Sequence, residues 1–567
     1  MNTTYFMSLK KITALLAVCA CAIPPCVFAQ WKPAGEKLKT IWADKVDPAN
    51  PLPEYPRPLM QRAQWQNLNG LWDYAITAEN APRPATFDGQ ILVPFAVESA
   101  LSGVMKPLGK DQALWYQRVF SIPQEWSEQD VLLNFGAVDW RADVFVNGVK
   151  VGEHTGGYAP FSLNITKALK PEENTLVVRV WDGTDTSLKP RGKQVLKPKG
   201  IYYTAVSGIW QTVWLEPVPS THLTRVKTTP NLDAGRFEVE VQSNAPADRF
   251  RVLVFENEKQ IAQGEALCGA RAFVEVVDPK LWSPDSPFLY DLKVELIKDG
   301  APVDSVESYA AMRKISISKP TKHKYARLQL NNQNIYHMGP LDQGYWPDGL
   351  YTAPTEEALL FDIEKTKELG FNMIRKHVKV EPARWYYHCD RLGMLVWQDM
   401  PHTLHHELTP WVEDSYVEVE GIAPPEMEAD YRKEWKEIID ALYSHPCIVM
   451  WVPFNENWGQ FKTKEIAQWT KSYDPTRPVN PASGGNYFLC GDILDIHSYP
   501  APRIKVLNSS VVNAIGEYGG IGLVVRGHIW DGDMKNWGYV QFKNSDEATA
   551  EYEKFSNMLA DMTQYGI

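Results

Sequence analysis

A chain of 567 residues with 44% hydrophobic and 22% charged content is too long for one core and ordinary for globular protein, so two to four domains are expected. A net charge of -11 without any basic run argues against nucleic acid or an anionic membrane surface as a partner. Of seven cysteines, only Cys268, Cys389, Cys447 and Cys490 lie beyond the N-terminal segment, too sparse and too widely spaced for a disulfide framework or a zinc pattern.

Lys10 and Lys11 precede the apolar run Ile12–Ala22, and Val27-Phe-Ala29 places small residues at the -3 and -1 positions of a cleavage site. Residues 1–29 are therefore predicted to be a signal peptide. The mature chain would be exported to the periplasm or the extracellular space. No run reaches eighteen apolar residues, so no membrane span is expected.

Residues 30–218 carry short alternating strands: Gly70–Ile76, Leu114–Phe120, Val131–Phe135, Ala142–Val146 before Asn147-Gly148, and Thr175–Trp181. Period-two alternation with an Asn-Gly hairpin signal predicts an antiparallel, jelly-roll-like sandwich. Trp115, Trp140 and Trp210 in this block suit core packing better than a sugar-binding surface. Residues 219–318 repeat the pattern, with Arg236–Gln242 and Leu289–Leu296 alternating cleanly, and a length near one hundred residues suits an immunoglobulin-like β-sandwich.

From residue 319 to 567 strands alternate with helices, the texture of a parallel (β/α)8 TIM barrel. Strands are predicted at Ile335–Gly339, Phe371–His377, Met394–Asp399, Cys447–Val452, Pro478–Asn480, Ile493–His497 and Ser510–Gly516. Helices are predicted over 355–370, 387–392, 431–443, 460–472 and 547–563. No eighth strand is predicted, so the barrel reads as incomplete.

Asn455-Glu456 follows the fourth strand and Glu517 the seventh, each carboxylate leaving an apolar run beside aromatic rings. Active sites of such barrels lie at the C-terminal strand ends. Two carboxylates there suit glycoside hydrolysis, one attacking the anomeric carbon and one protonating the leaving oxygen. Repulsion between them is expected to separate their pKa values. Arg375, at the end of the second strand, is placed to hold Glu517 ionised, and Tyr499 to donate to it. His377, Asp399, His497, Trp397 and Trp458, with Asp342 in the polar aromatic loop 342–348, are further candidates for sugar contact, or for packing. The His402–Glu407 segment lacks the helical order of a metalloprotease motif and reads as a rim loop. Gly519–Gly522 opens no helix and is no nucleotide loop.

The order of domains, together with Asn69-Gly-Leu-Trp72, Ser207-Gly-Ile-Trp-Gln-Thr-Val-Trp214, Ile374-Arg-Lys-His377 and Asn455-Glu456, resembles glycoside hydrolase family 2 over nearly all of the mature chain. The resemblance implies a retaining exo-β-glycosidase of the β-galactosidase, β-glucuronidase or β-mannosidase type, most simply a β-galactosidase. It implies Glu456 as acid/base, Glu517 as nucleophile, and Asn455 as the group that bonds the sugar 2-hydroxyl. A carbohydrate is the expected partner. No cofactor or metal is expected, and self-association stays open. The alternative is a truncated, non-catalytic carbohydrate-binding remnant.

Overall fold

A computed structural model describes residues 31–319, 325–403, 418–530, 532 and 536–563, and the architecture below is that of the compact unit Pro33–Ile567. The predicted signal segment and residues 404–407 of the predicted rim loop lie outside the described residues.

The first sandwich packs a six-stranded antiparallel sheet (Gly89–Val93, Gly70–Ala78, Gln112–Ser121, Glu173–Trp181, Arg141–Val146, Val149–Thr155) on a four-stranded one (Gln66–Asn67, Val213–Val218, Asp130–Phe135, Phe161–Asn164). Alternation fixes which face is buried. In Arg141–Val146 the side chains of Ala142, Val144 and Val146 are buried and the residues between them half-buried. The hairpin that follows turns through Asn147 (φ 52°) and Gly148 (φ 82°), the paired positive φ of a two-residue turn that matches strand twist. Trp115, Trp140 and Trp210 are all buried, as packing residues should be. The second sandwich sets Leu223–Asn231, Arg236–Ser243 and Ala272–Glu275 against a four-stranded sheet formed by Lys259–Leu267, Arg249–Glu256, Tyr290–Lys298 and Ala301–Ala310. Seven strands over about a hundred residues make it immunoglobulin-like.

The third region begins its wall with four parallel strands in chain order, Leu341–Asp342, Met373–Lys376, Leu395–Asp399 and Ile448–Val452. Ile448–Val452 is buried at every position, the near-continuous apolar run expected of a strand covered on both faces. Truncating a side chain such as Ile448 to Ala would cost roughly 2–5 kcal/mol through lost burial and a cavity. Between strands, the Glu356–Glu368 helix is capped by Thr355, whose hydroxyl accepts from Ala358 N at 3.2 Å, and it closes before Gly370 at φ 89°. Acidic Glu356 and Glu357 open it and Lys365 and Lys367 end it, matching the helix dipole.

Several predicted elements differ. Pro478–Asn480 forms only a single bridge, Val479 to Trp451, because Pro478 and Pro481 offer no N–H to extend a ladder. Residues 335–339 are no regular strand; they run beside the second strand through isolated bonds such as Asn372 N to Met338 O (3.1 Å), and the ladder starts at Leu341. The helix expected from Tyr431 starts at Pro425, since proline suits a first helical turn where no N–H partner exists.

Ile493–Ser498 pairs in parallel with Val512–Tyr518, and Ile521–Leu523 with Val540–Phe542. Among the described residues no strand joins the outer edge of Val512–Tyr518 to the Leu341–Asp342 strand. Ala326 makes one parallel bridge to Val512. The barrel wall is thus not closed by hydrogen bonds, and the Ser545–Thr563 helix covers part of that side with Phe555 and Leu559 buried.

Candidate active site

A cavity of about 1040 Å³ opens among these strand ends, with Glu456, Glu517, Arg375, Trp397, Tyr499 and Trp458 in its wall. It continues along the open edges toward Phe555 and Leu559.

Arg375 organises the deepest part. Fully buried at the end of the Met373–Lys376 strand, it donates to both oxygens of Asp399 (3.1 and 2.9 Å), to Asn455 Oδ1 (2.8 Å) and to Glu517 Oε1 (2.9 Å). One guanidinium therefore fixes residues from three other strand ends, which its planar fork allows and a lysine could not copy. Burial alone would lower its pKa; the charges of Asp399 and Glu517 reverse that and raise it.

Glu517 also accepts from Tyr499 Oη at 2.6 Å and has His497 Nδ1 at 3.3 Å and His377 Nδ1 at 3.6 Å. Burial pushes this carboxyl up, but His497 and Arg375 outweigh it and hold the group down at about 2. It is ionised at any physiological pH.

Glu456 stands differently. Its backbone is left-handed at φ 52°, a conformation costing a non-glycine residue roughly 1–2 kcal/mol. The bond from Glu456 N to Ser483 O (2.7 Å) holds it there. Its Oε2 accepts from Trp458 Nε1, and its Oε1 lies 2.9 Å from His497 Nδ1.

His497 thus bridges both acids. One oxygen of each carboxylate and one ring nitrogen of His497 lie within 4.8 Å of one another. Burial disfavours the imidazolium, yet Glu517 and the bond to Glu456 raise the pKa. Its Nε2 lies 2.8 Å from Ser483 Oγ, whose hydroxyl donates to Asp495 (2.5 Å), and 3.4 Å from Arg375 Nη1. Gly484 makes room for the ring, because a Cβ there would meet His497 at 2.1 Å.

The remaining candidates divide. Trp397 lines the cavity with its Nε1 donating to His337 Nδ1 at 2.9 Å. His377 lines it as a neutral ring, burial and then Lys193 lowering its pKa. Asp399 does not reach the cavity. It is wholly buried behind Arg375 and serves to orient it. Asp342 is likewise off the wall, accepting from Lys376 Nζ at 2.7 Å in a network with Glu381 and Lys379. Both point sideways to a neighbouring strand end, a direction that position at a strand end does not reveal.

The sequence reading missed the contribution of the first sandwich. Its loop 190–204 enters the barrel mouth, bringing Lys193 and Tyr203 into the cavity wall. Arg191 N and Gly192 N both donate to His402 O at 3.1 Å, and Tyr203 stacks on Tyr345 at 4.0 Å. No periodicity marks such a loop.

A carboxylate pair at the mouth of a parallel barrel, behind two β-sandwiches, defines the class. The family descriptions "Glycosyl hydrolases family 2, sugar binding domain", "Glycosyl hydrolases family 2" and "Glycosyl hydrolases family 2, TIM barrel domain" match residues 89–219, 221–313 and 325–513. The chain belongs to glycosyl hydrolases family 2. It is 27% identical to a putative beta-glucuronidase of Formosa agariphila over 60% of this chain and 39% of that one. It is also 27% identical to a beta-galactosidase of Thermoanaerobacter pseudethanolicus, over 64% and 48%. The chain thus spans about a third to a half of the length of these curated relatives. Its fold is like that of beta-D-glucuronidase from Dictyoglomus thermophilum (TM-score 0.63, 20% identity, 78% of this chain and 77% of that one). The beta-glucuronidase of Ruminococcus gnavus is similar (TM-score 0.64, 20% identity, 79% and 78%).

Proposed function

We propose that this chain is a retaining exo-β-glycosidase working by double displacement. The observation that carries the reading is the carboxylate pair, with oxygens within 4.8 Å and the Glu517 carboxyl held down at about 2. Retaining hydrolysis needs carboxyls roughly 5–5.5 Å apart, whereas an inverting site leaves a wider gap for water. Glu517 attacks the anomeric carbon as the glycosidic bond breaks, and Glu456 gives its proton to the leaving oxygen. Water then loses a proton to Glu456 and displaces Glu517, restoring both groups. Arg375, Tyr499 and His497 keep the attacking oxygen charged and aimed. Asn455, oriented by Arg375, is the group nearest in role to a 2-hydroxyl partner.

For the sugar, a β-galactoside and a β-glucuronide both find support in the names of relatives. The predicted signal segment supports export with cleavage after Ala29, which N-terminal sequencing of the secreted protein checks. The test of the activity is release of nitrophenol from aryl β-glycosides. Glu517→Ala should abolish it, and azide should partly restore turnover to give the α-glycosyl azide. A wild-type protein inert on a broad aryl-glycoside panel sinks the proposal and leaves the binding-remnant reading.

A further inference from the structure

Lys193 and Arg327 are the cavity-wall cations whose charges the described residues leave unanswered, and Lys193 is the one that a different domain brings in. It comes from the sandwich loop, half-buried, and its ammonium makes no hydrogen bond or ion pair among the described residues. The two carboxylates that share its cavity are already engaged: Glu517 by Arg375 and Tyr499, Glu456 by Trp458 and His497. Desolvating an ammonium without an ion partner is unfavourable, so a chain that merely needed to fill this place would do better with an uncharged side chain.

The loop also holds the residue rigidly. Gly192, immediately before it, sits at φ 61° with no room for a Cβ, which would meet Val378 O at 2.4 Å. Lys193 O accepts from Tyr203 N at 2.9 Å, and the next side chain, Gln194, is locked between Asp139 Oδ2 (2.9 Å) and Val206 N (2.7 Å). The backbone that carries the lysine is therefore anchored, and Lys193 lines the same cavity as Glu456 and Glu517, among apolar and aromatic walls where an ion pair gains strength.

We propose that Lys193 is the residue through which this cavity selects an acidic sugar, the anionic group of the bound ring supplying the missing ion partner. A uronate carboxylate and a sulfate ester share the required chemistry. The inference rests on the glycosidase reading and refines its substrate class.

Titration of the wild-type protein with D-glucuronate, glucose 6-sulfate, glucose and galactose tests it without requiring turnover. The acidic sugars should bind more tightly than the neutral ones, and whichever of the two anions leads identifies the group. In Lys193→Met the acid-over-neutral preference should fall by roughly 10- to 100-fold, the worth of a charge-assisted bond, while Lys193→Arg should keep most of it. Equal binding of acidic and neutral sugars by the wild type overturns the proposal, as does an equal loss of preference in both variants, which would make the effect steric. Paired hydrolysis of aryl β-glucuronide and aryl β-galactoside separates the two proposals. Hydrolysis of neither removes the glycosidase reading and leaves the titration to decide on Lys193; hydrolysis of the galactoside with no acidic preference removes this inference alone.

Discussion

Glu517 and Glu456 share a cavity and a histidine, yet their surroundings are built for opposite demands. Glu517 is held by a buried guanidinium, a tyrosine hydroxyl and two imidazoles, and only 8% of its side chain is exposed. Glu456 has an indole N–H and the shared histidine, 16% exposure and a strained backbone. The first environment fixes a charge. The second surrounds a more exposed carboxyl with fewer charged partners, which suits the acid/base part proposed for it.

Exchanging those demands should have unequal results. Glu517→Gln is expected to cost at least about 10⁴-fold in kcat, since no other carboxylate can replace the attacking oxygen. Glu456→Ala should cost roughly 10²–10⁴-fold on poor leaving groups and much less on dinitrophenyl glycosides, with azide now yielding the β-glycosyl azide. If both variants give the same azide anomer, the assignment of roles is wrong. Arg375→Met would strand Asp399, Asn455 and Glu517 together, and calorimetry should show a loss of about 3–5 kcal/mol along with lost activity.

The pH responses oppose one another. Glu517 is depressed from 4.5 to about 2, so the stability its charge contributes is complete above about pH 4.5 and drains away as the pH falls toward 2. Acid unfolding of Glu517→Gln should be correspondingly flatter. His497 is raised above 6.5, so its contribution is complete below that value and is lost as the pH rises through the higher folded pKa. Replacing His497 with Gln should remove that alkaline loss in a melting-temperature series. Smallest of all, Tyr499→Phe deletes one bond to the carboxylate and should lower kcat by about 10-fold or less. An effect as large as that of Arg375→Met would mean the tyrosine does more than orient Glu517.

Much of this site is legible in the amino-acid sequence. The acids announced themselves because each follows a buried apolar strand, and Arg375 because it ends another. The sandwich strands were readable wherever burial alternates, as in Arg141–Val146. What escaped has physical causes. Asp342 and Asp399 end strands as the acids do, yet lateral ion pairs with Lys376 and Arg375 draw them from the cavity. The Pro425 start was hidden because only Met427 is buried before Tyr431, leaving little apolar periodicity to read. Lys193 reaches the barrel from a different domain, and a contact between distant segments leaves no local pattern.

Gly192 carries a consequence for how such a protein can be recombined. Because its missing side chain is what lets the sandwich loop seat against Val378, the barrel mouth is a composite of two domains. A barrel transplanted onto another sandwich would keep its two acids and lose the lysine, Tyr203 and the seat they occupy. Chemistry could travel with the barrel; discrimination among sugars would stay behind with residues 190–204.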